Sequence, residues 1–351
     1  MAFFGVTKEK IGTVDPIPEA DKIVKASLEG ISFSFVIGKD TFQPGDSVLY
    51  IPIDSLLPLP LQEKLNLVGK LAGSDKNRVK TVRLRGVISQ GIVAPLSLLD
   101  GINNENPTTE EITAFLGVTK YDPPIVDAGG YNLHKLPEVS PYYDIEGCER
   151  NPEIVSILMD LDVVVTEKLE GRNSSVAYLK DEPEARFCQR SGEIVLIDNN
   201  CLNVTHETAK KQLLDVIAKK IVTDYSVEAS TIRGELIGHS SAQGDYYKLK
   251  KAQIHTFEVW LNGQPIDYPK QEEITKEYGI LTVPVLFVGK LRDYLKGRNI
   301  AEVSNGLSVL NPALRREGIV IRPYIELPRD TKLGRIILKQ RSPEYLAKTE
   351  N

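Results

Sequence analysis

The sequence has 351 residues, too many for one ordinary domain core and typical of two domains. Its 41% apolar and 26% charged residues are typical of a globular protein, and it contains no apolar run of the roughly 20 residues that cross a bilayer. The net charge of −5 argues against a protein that binds nucleic acid over its whole surface, although local groups of lysine and arginine can still bind phosphate.

The first 120 residues combine short β-rich segments with turns that are rich in glycine, proline and aspartate. About five predicted strands at irregular spacing favour a small barrel, and the OB-fold is the commonest such barrel that binds nucleic acid. A capping box of Thr108 and Glu111 predicts a short helix that Gly117 ends. The predicted strands are residues 23–29, 31–37, 47–52, 78–84 and 89–95.

A group of cations lies in and just after the fourth of these predicted strands. Strict alternation would place the first two on one face of the strand and the last two on the other. A β-bulge would bring them together in a groove that binds an RNA backbone, whereas without it they would protect a solvated edge strand. The sequence leaves both interpretations open. The residues are Arg78, Lys80, Arg83 and Arg85.

Proline and glycine crowd between residues 121 and 150, where apolar periodicity is absent. We therefore predict an OB-fold domain at 1–120, a linker at 121–150 and a second domain at 151–351. In the second domain, Asn151 and Pro152 predict a helix start, and residues 206–222 have an amphipathic helix pattern that includes Leu213. The predicted strands there are 161–168, 254–261, 280–288, 318–322 and 335–339, with Pro284 indicating a sheet edge or a bulge.

The cysteines show neither a disulfide framework nor a zinc site. The number of cysteines is odd and they are widely spaced, which favours a reducing compartment; they are Cys148, Cys188 and Cys201. Charge at residues 8–10 comes too early for a secretory signal. We therefore expect a cytoplasmic, intracellular protein without a membrane partner, and the nucleus stays open as a location.

The candidate for covalent chemistry is Lys168, at the end of a valine-rich strand. Residues 163–168 run Val-Val-Val-Thr-Glu-Lys, and Glu170 and Gly171 follow. A lysine acts as a nucleophile only after it has lost its proton, which burial and a neighbouring metal cation both favour. Glu170 would share the strand face of Lys168. The pattern K-x-E-G is weak evidence by itself, since a surface salt bridge gives the same pattern.

Further short segments follow in order. They provide an arginine before a turn, a carboxylate between glycines, an aromatic residue in a strand, a carboxylate that opens a buried strand, and a final pair of cations. They are residues 187–192, 233–238, 255–260, 317–322 and 337–341. No G-x-x-x-x-G-K-[ST] pattern is present in the sequence, which excludes a P-loop.

Together with the lysine segment, this series resembles the ATP-dependent RNA ligases of the covalent nucleotidyltransferase superfamily. Within it, the match is to the fifth RNA ligase family, which carries an OB-fold ahead of its catalytic domain. The resemblance covers residues 163–341, and the opening barrel extends it to nearly the whole chain. It implies an α+β fold, an N-terminal OB-fold β-barrel followed by a mixed α+β adenylyltransferase (ATP-grasp-like ligase) domain.

The resemblance also implies an activity: sealing of RNA 5′-phosphate and 3′-OH ends through lysyl-AMP and RNA-adenylate. ATP and Mg²⁺ or Mn²⁺ would be the cofactors, nicked RNA duplexes or RNA/DNA hybrids the substrates, and the protein would be a monomer. Lys168 would attack the α-phosphorus of ATP. The nucleotide-binding residues would be Thr166, Glu167, Asn173, Arg190, Glu235, Phe257, Val320, Lys339 and Arg341, and the contacts to a hydrated metal ion would be Glu170, Glu258 and Glu317.

The sequence departs from the family pattern at two positions. Glu170 stands where the family has an aspartate, and Arg341 stands where it has a second lysine, which replaces a point charge by a planar fork. Structural explanations also stay open for three assigned residues. Glu235 and Glu258 could be half-exposed strand residues, and Phe257 could belong to the core.

Two alternative functions share parts of this pattern. DNA ligases and mRNA capping enzymes use the same lysine chemistry, but their OB-fold follows the catalytic domain, whereas ten residues follow Arg341 here. The other alternative is a non-catalytic OB-type RNA-binding protein with a decayed transferase domain. Formation of a covalent AMP adduct distinguishes it from a ligase.

Overall fold

The computed structural model describes residues 4–104, 106–121, 131–141, 143–197, 202–238, 246–328 and 334–349. The chain divides into two compact units. The first consists of Met1–Pro124, Gly147–Pro152 and Ser342–Asn351, and the second consists of Ile125–Glu146 and Glu153–Arg341. Among the described residues, no helix is long and apolar enough to cross a membrane.

The strands and helices are numbered separately in chain order. The strands are β1 (Thr7–Pro16), β2 (Ile23–Leu28), β3 (Ile31–Gly38), β4 (Ser47–Ile51), β5 (Ser55–Leu56), β6 (Val82–Leu84), β7 (Val87–Ser89), β8 (Ile92–Pro95), β9 (Thr119–Lys120), β10 (Tyr131–His134), β11 (Glu146–Gly147), β12 (Asp162–Lys168), β13 (Arg172–Leu179), β14 (Arg186–Gln189), β15 (Gly192–Leu196), β16 (Ala229–Ile237), β17 (Gln253–Leu261), β18 (Gln264–Pro265), β19 (Val285–Lys290), β20 (Gly318–Pro323) and β21 (Leu338–Arg341). The helices are α1 (Leu59–Lys64), α2 (Thr109–Phe115), α3 (Pro152–Leu158), α4 (Val204–Lys211), α5 (Leu214–Asp224), α6 (Tyr268–Glu277), α7 (Leu291–Leu295), α8 (Ile300–Ser304) and α9 (Pro343–Thr349), and 3-10 helices span Leu96–Leu99 and Cys148–Arg150.

An antiparallel sheet with the strand order β3-β2-β1-β4-β8 forms the framework of the first unit. Its inner face is apolar, because Ile11, Phe35 and Tyr50 pack together there. The sheet curls, since the backbone N–H of Gln90 next to β8 donates to the carbonyl of Ser34 in β3 at 3.1 Å. This curled sheet confirms the predicted OB-type barrel.

Strand β1 is missing from the sequence prediction, although it lies at the centre of this sheet. Its sequence, TKEKIGTVDP, is mostly polar, and Ile11 is its only fully buried residue. Hydrophobic periodicity therefore gives almost no signal for this strand. The predicted strand at 78–84 is only partly correct, because regular pairing begins at Val82, in the β6–β7 hairpin.

Helix α2 begins and ends as the sequence predicts. Thr108 and Glu111 form a reciprocal capping box at its start. Gly117 follows its end with a φ of 65°, a left-handed conformation that glycine adopts without steric cost.

The second unit contains two antiparallel sheets. The larger has the order β10-β15-β14-β13-β16-β17-β18. Helices α4, α5 and α6 cover one face of it, since Ala209, Ile221 and Ile274 pack with Val176 and Ile232 in one core. In the other sheet, β21, β20, β12 and β19 are neighbours in that order. This order places the lysine-bearing strand β12 between two partners.

The predicted helix at 206–222 is wrong in its continuity, because α4 and α5 separate at Gln212 and Leu213. The side-chain amide of Gln212 exchanges two hydrogen bonds with the backbone of Ile254, at 2.7 and 3.1 Å. Leu213 has a left-handed φ of 56° and an exposed side chain, so it does not belong to the predicted apolar stripe. Pairing with the sheet therefore overrides local helix propensity here.

Pro284 precedes an edge strand, as predicted. Strand β19 lies at the edge of its sheet and begins at Val285, so the predicted strand at 280–288 is too long at its start. The carbonyl of Pro284 accepts the backbone N–H of Glu167 in β12 at 2.9 Å. The proline thus takes part in pairing through its acceptor, the one backbone group that it retains.

Candidate active site

A cavity of about 590 Å³ lies in the second unit at the end of β12. Strands β12, β16, β17 and β20 and helix α6 contribute its lining. Its size is typical of small-molecule sites. The candidate residues that line it are Thr166, Glu167, Lys168, Asn173, Glu235, Phe257, Glu258 and Val320. Residues far apart in the sequence are thus brought together around one cavity.

Lys168 is the last residue of β12, and pairing with β20 places it opposite Gly318. Its Nζ lies 2.6 Å from Oε1 of Glu317, whose side chain is only 7% exposed. Nε of Arg341 lies 3.6 Å from the same oxygen. The amine of the resting protein is therefore held in an ion pair that a second cation shares.

Strands β20 and β21 approach closely where they carry these groups. Gly318 pairs with Arg341, and a Cβ at Gly318 would overlap the carbonyl oxygen of Gln340. Any larger residue would therefore push the two strands apart. The glycine allows Glu317 and Arg341 to meet at the end of the sheet, opposite Lys168.

The turn after the lysine also leaves no room for a side chain. A Cβ at Gly171 would overlap the carbonyl oxygen of Leu236 and lie 2.9 Å from Cγ of Glu235. Asn173 pairs with Glu235 across β13 and β16. The close packing at Gly171 thus sets the position of Glu235 relative to the lysine turn.

Glu235 has an unusual protonation state. Burial is the main reason that its pKa is raised to about 8; Lys168 lowers the pKa, whereas Glu317 and Glu170 raise it further. The carboxyl group is therefore mostly protonated at neutral pH. In that form it can donate a hydrogen bond as well as accept one.

Glu258 is buried in a network of cations and aromatic side chains. Arg335 and the hydroxyl of Tyr143 bond to its carboxylate, and Nε1 of Trp260 donates to it at 3.0 Å. Nη1 of Arg322 lies 3.7 Å away. Burial acts to raise the pKa of Glu258, but the nearby arginines, Arg335 first, together with the hydrogen bond from Tyr143 outweigh it and lower the pKa to about 2. Arginine side chains therefore hold this carboxylate ionised.

Sequence reasoning missed the partners of Glu258. Tyr143 comes from the predicted linker and Arg335 precedes β21, and neither belongs to a motif. Arg322 ends the segment 317–322, but no role was predicted for it. The one signal was its place in a buried strand, since a buried arginine needs an anionic partner.

Three further candidate site residues differ in burial and in their partners. Phe257 is partly buried and packs against the small core around Leu169. Arg190 is 55% exposed, with Nη2 at 3.6 Å from Oδ1 of Asp144. Lys339 lies in β21, paired with Val320 of β20. Lys339 therefore lies in the same strand as Arg341, paired with the strand that Glu317 precedes.

The cations predicted to bind RNA do not form one row. Arg78 donates to Asp54 at 3.0 Å, and its guanidinium carbon lies 3.7 Å from the centre of the Tyr121 ring. Arg83 and Arg85 are exposed in the β6–β7 hairpin, whereas Lys80 is half-buried before it. Arg78 is therefore engaged within the first unit, and the hairpin presents the two exposed arginines.

The residues predicted to hold a metal ion differ in their surroundings. In the part of the chain that the structure describes, no group of three histidine, cysteine, aspartate or glutamate side chains is arranged to hold a metal ion directly. Lys168, Glu317 and Glu170 all influence the pKa of Glu235, so their charged groups lie near one another. The carboxylates of Glu170 and Glu317 therefore fit a hydrated divalent ion, which carboxylates contact through its waters. Glu258 is engaged by Arg335 instead.

A sequence model of the RNA ligase family matches residues 161–340, just over half of the chain. The chain belongs to the RNA ligase family. A second model, of an OB-fold domain, matches residues 5–96 of this RNA ligase. No curated protein is significantly similar to it in sequence.

Solved structures of an RNA ligase from Naegleria gruberi share the fold of this RNA ligase. The complex with pyrophosphate has a TM-score of 0.78 and 24% identity, with 99% of each chain covered. A lysine-to-alanine variant with ATP and manganese has a TM-score of 0.80, 24% identity and 98% coverage of each chain. A lysine-to-methionine variant with AMP and manganese has a TM-score of 0.78, 25% identity and the same 98% coverage.

Proposed function

We propose that this protein is an ATP-dependent RNA ligase that joins RNA 5′-phosphate and 3′-OH ends, with Lys168 as the nucleophile. The observation that carries the proposal is the position of Lys168, which lines a cavity of nucleotide size with Glu317 at 2.6 Å. The match of residues 161–340 to the RNA ligase family supports the reaction class. The Naegleria ligase structures with ATP, AMP and pyrophosphate support the choice of nucleotide.

The nucleotide base would lie between Phe257 and Val320, which both line the cavity. An aromatic face and a branched aliphatic side chain can enclose a purine from two sides. Thr166 and Glu167 border the same cavity. Glu235, protonated at neutral pH, would donate to one ribose hydroxyl and accept from the other, with Asn173 paired beside it.

Lys168 must leave Glu317 and lose a proton before it can attack. An ammonium group that is bonded to a carboxylate has no free electron pair for the phosphorus. A hydrated Mg²⁺ or Mn²⁺ contacted by Glu170 and Glu317 would supply charge neutralisation at the α-phosphate. Glu258 is the third proposed contact, and it would act in this way only by exchanging its bond to Arg335.

Three displacements at phosphorus would then follow, and side chains of this protein would position the reacting groups in each. The Lys168 nitrogen bonds to the α-phosphorus, and the bond to the bridging oxygen breaks with release of pyrophosphate. An RNA 5′-phosphate oxygen next displaces the lysine, and the 3′-OH finally displaces AMP. Arg190, Lys339 and Arg341 would neutralise the phosphate oxygens in these steps.

The test is a covalent adduct on the full-length protein. Incubation with α-labelled ATP and Mn²⁺ should give a labelled band that survives alkali and breaks in acid. Lys168→Ala should abolish the band, whereas Lys219→Ala, on helix α5, should leave it intact. The absence of a band from the wild-type protein with either Mg²⁺ or Mn²⁺ would contradict the proposal and favour an OB-type RNA-binding protein.

We also propose that the substrate is a nicked RNA duplex or RNA/DNA hybrid. The OB-fold unit and the exposed arginines of its hairpin support a second, nucleic-acid-binding surface. Sealing rates on nicked RNA, nicked hybrids, nicked DNA and single strands test this. Faster joining of single strands than of nicks would contradict it.

The domain boundaries that we propose are 1–120, 121–150 and 151–351, where residues 122–130 and 142 of the linker lie outside the described residues. We propose a cytoplasmic monomer. Cys148 and Cys188 are free and buried, which supports a reducing compartment, and Cys201 lies outside the described residues. Light scattering of the eluting protein should give a mass near 39.0 kDa, and a multiple of it would contradict the monomer.

A further inference from the structure

Tyr247 supports the turn that follows Lys168. Its side chain is 2% exposed, and its hydroxyl oxygen accepts the backbone N–H of Glu170 at 2.8 Å. The ring packs in a small core with Leu169, which fixes the position of the hydroxyl. The carbonyl of Tyr247 accepts Nδ2 of Asn311 at 3.1 Å. Tyr247 therefore joins the lysine turn to the loop that leads to Glu317.

Tyr246 holds the end of the same loop. Its hydroxyl donates to the carbonyl of Arg315 at 2.6 Å, two residues before Glu317. Its ring meets that of Tyr247 edge to face, with 5.1 Å between the centres and 86° between the planes. The two tyrosines thus form one rigid contact between the turn and the loop.

Glu167 fixes the middle of the loop from the strand side. The backbone N–H of Val309 donates to Oε2 of Glu167 at 2.8 Å. The side chain is 1% exposed, and among the described residues Oε1 has no hydrogen-bond partner. A buried carboxylate with one unsatisfied oxygen is costly for folding. The bond between Glu167 and Val309 ties this loop to the end of β12, next to Lys168.

We propose that Tyr246, Tyr247 and Glu167 are positioning residues that fix Glu170 and Glu317 at the separation needed to hold a hydrated divalent ion beside Lys168. This inference rests on the proposed function, because it concerns the same site. The lysine turn and the loop are bonded to one pair of tyrosines, so their two carboxylates keep a constant spacing. Hydrogen bonds that orient the groups in contact with a metal ion typically influence the affinity for that ion.

The experiment compares Tyr247→Phe with the wild-type full-length protein. The variant keeps the packed ring and loses only the hydroxyl that holds Glu170. The manganese concentration for half-maximal adenylylation should rise by about tenfold or more, with a smaller change in the KM for ATP. Tyr225→Phe, which loses a surface bond to Glu277 at 2.6 Å, is the matched control and should behave as wild type.

A second readout needs neither metal nor nucleotide. Acetylation of Lys168 by a small amine-reactive reagent, followed by peptide mass spectrometry, reports how firmly Glu317 holds the amine. The labelling rate of Lys168 relative to Lys219 should increase in Tyr247→Phe, because the loop that carries Glu317 is no longer tied to the turn. A purely structural loss would lower the unfolding temperature and leave this ratio unchanged.

Tyr246→Phe gives an independent test, and it replaces Tyr247→Phe if that variant does not fold. It removes the bond to Arg315 and should shift the manganese requirement in the same direction. An unchanged manganese requirement in the folded variants overturns the inference. A wild-type protein that forms no adduct contradicts the proposed function instead, so the two failures are distinguishable.

Discussion

Glu317 is the side chain that two cations share, Lys168 at the end of β12, at 2.6 Å, and Arg341 at the end of β21, at 3.6 Å. We expect Glu317→Ala to reduce adenylylation by about 10- to 100-fold, because in the proposed mechanism this carboxylate would both align the lysine and contact the hydrated metal ion. The labelled adduct and the thermal unfolding curve of the same preparation check this. Glu228→Ala, which removes an exposed carboxylate, is the control, and near-normal labelling of Glu317→Ala would remove Glu317 from the site.

Glu235 should make the stability depend on pH. Its pKa is about 8 in the folded protein against an ordinary value of 4.5, so the folded form retains a proton that the unfolded chain releases. This contribution to stability is full below pH 4.5 and is lost as the pH rises through about 8. Glu235→Gln cannot titrate and should not show this loss.

Urea unfolding of both proteins at several pH values measures the effect of Glu235. Between pH 4.5 and about 8, the free energy of unfolding of Glu235→Gln should rise relative to that of the wild type. The gain should stay below about 1.4 kcal/mol per pH unit, because the side chain is partly exposed to the cavity. A difference that does not vary with pH would show that Glu235 is ionised in the folded protein.

At the residue scale, the sequence predicted the groups that stand in motifs and missed those that do not. Lys168, Glu235 and Val320 lie in short ordered segments, and the structure brings them to one cavity. Arg335 and Tyr143 bond to Glu258 but belong to none of the motifs. Arg335 was predicted to begin a strand, which in the structure starts only at Leu338. A salt bridge between such distant positions depends on the tertiary fold, which local sequence patterns do not encode.

Among the elements, the β20–β21 pair depends most on a single glycine. We expect Gly318→Ala to reduce adenylylation, because its Cβ would overlap the carbonyl of Gln340 and displace Arg341 and Glu317. The overlap should also destabilise the fold by about 1–3 kcal/mol. Gly297→Ala is the control: it meets no atom within 4 Å but has a φ of 79°, so it should lower stability without lowering adenylylation. Equal activity in the two variants would contradict the role of Gly318.

The elements that the sequence predicted best are those with strong local signals. The capping box of α2 and the valine-rich β12 are examples. The break between α4 and α5 could not be predicted, because it arises from Gln212 bonding to the distant residue Ile254. Strand β1 was missed for a related reason, since its pairing partners rather than its own apolar residues hold it in the sheet.

At the scale of the whole molecule, we expect the two activities of a ligase to separate between the units. Arg83 and Arg85 are exposed in the first unit, whereas the cavity lies in the second. The double variant Arg83→Ala/Arg85→Ala should form the AMP adduct normally but join RNA more slowly. The salt dependence of RNA binding should also weaken, by about 0.7–0.9 in log–log slope for each phosphate that the variant no longer neutralises.

The control for this double variant is Lys219→Ala/Lys220→Ala on helix α5, which removes the same charge from the second unit. It should leave both adduct formation and joining close to wild type. RNA joining and salt dependence that match wild type in Arg83→Ala/Arg85→Ala would mean that the hairpin does not contact RNA.

The order of the two units along the chain was predicted well, because the barrel and the ligase segments have different local patterns. The bounds 1–120, 121–150 and 151–351 stay a prediction. Gly147–Pro152 and Ser342–Asn351 group with the first unit although they are distant from it in sequence. Such returns of the chain follow from packing, and a composition change at a linker cannot reveal them.

The contact between Lys168 and Glu317 also bears on side reactions at the cavity. Small electrophiles such as aldehydes and thioesters compete with the carboxylate for the amine, because they can bond to the nitrogen only after it has separated from Glu317. The partner that aligns the lysine thus also makes it more selective.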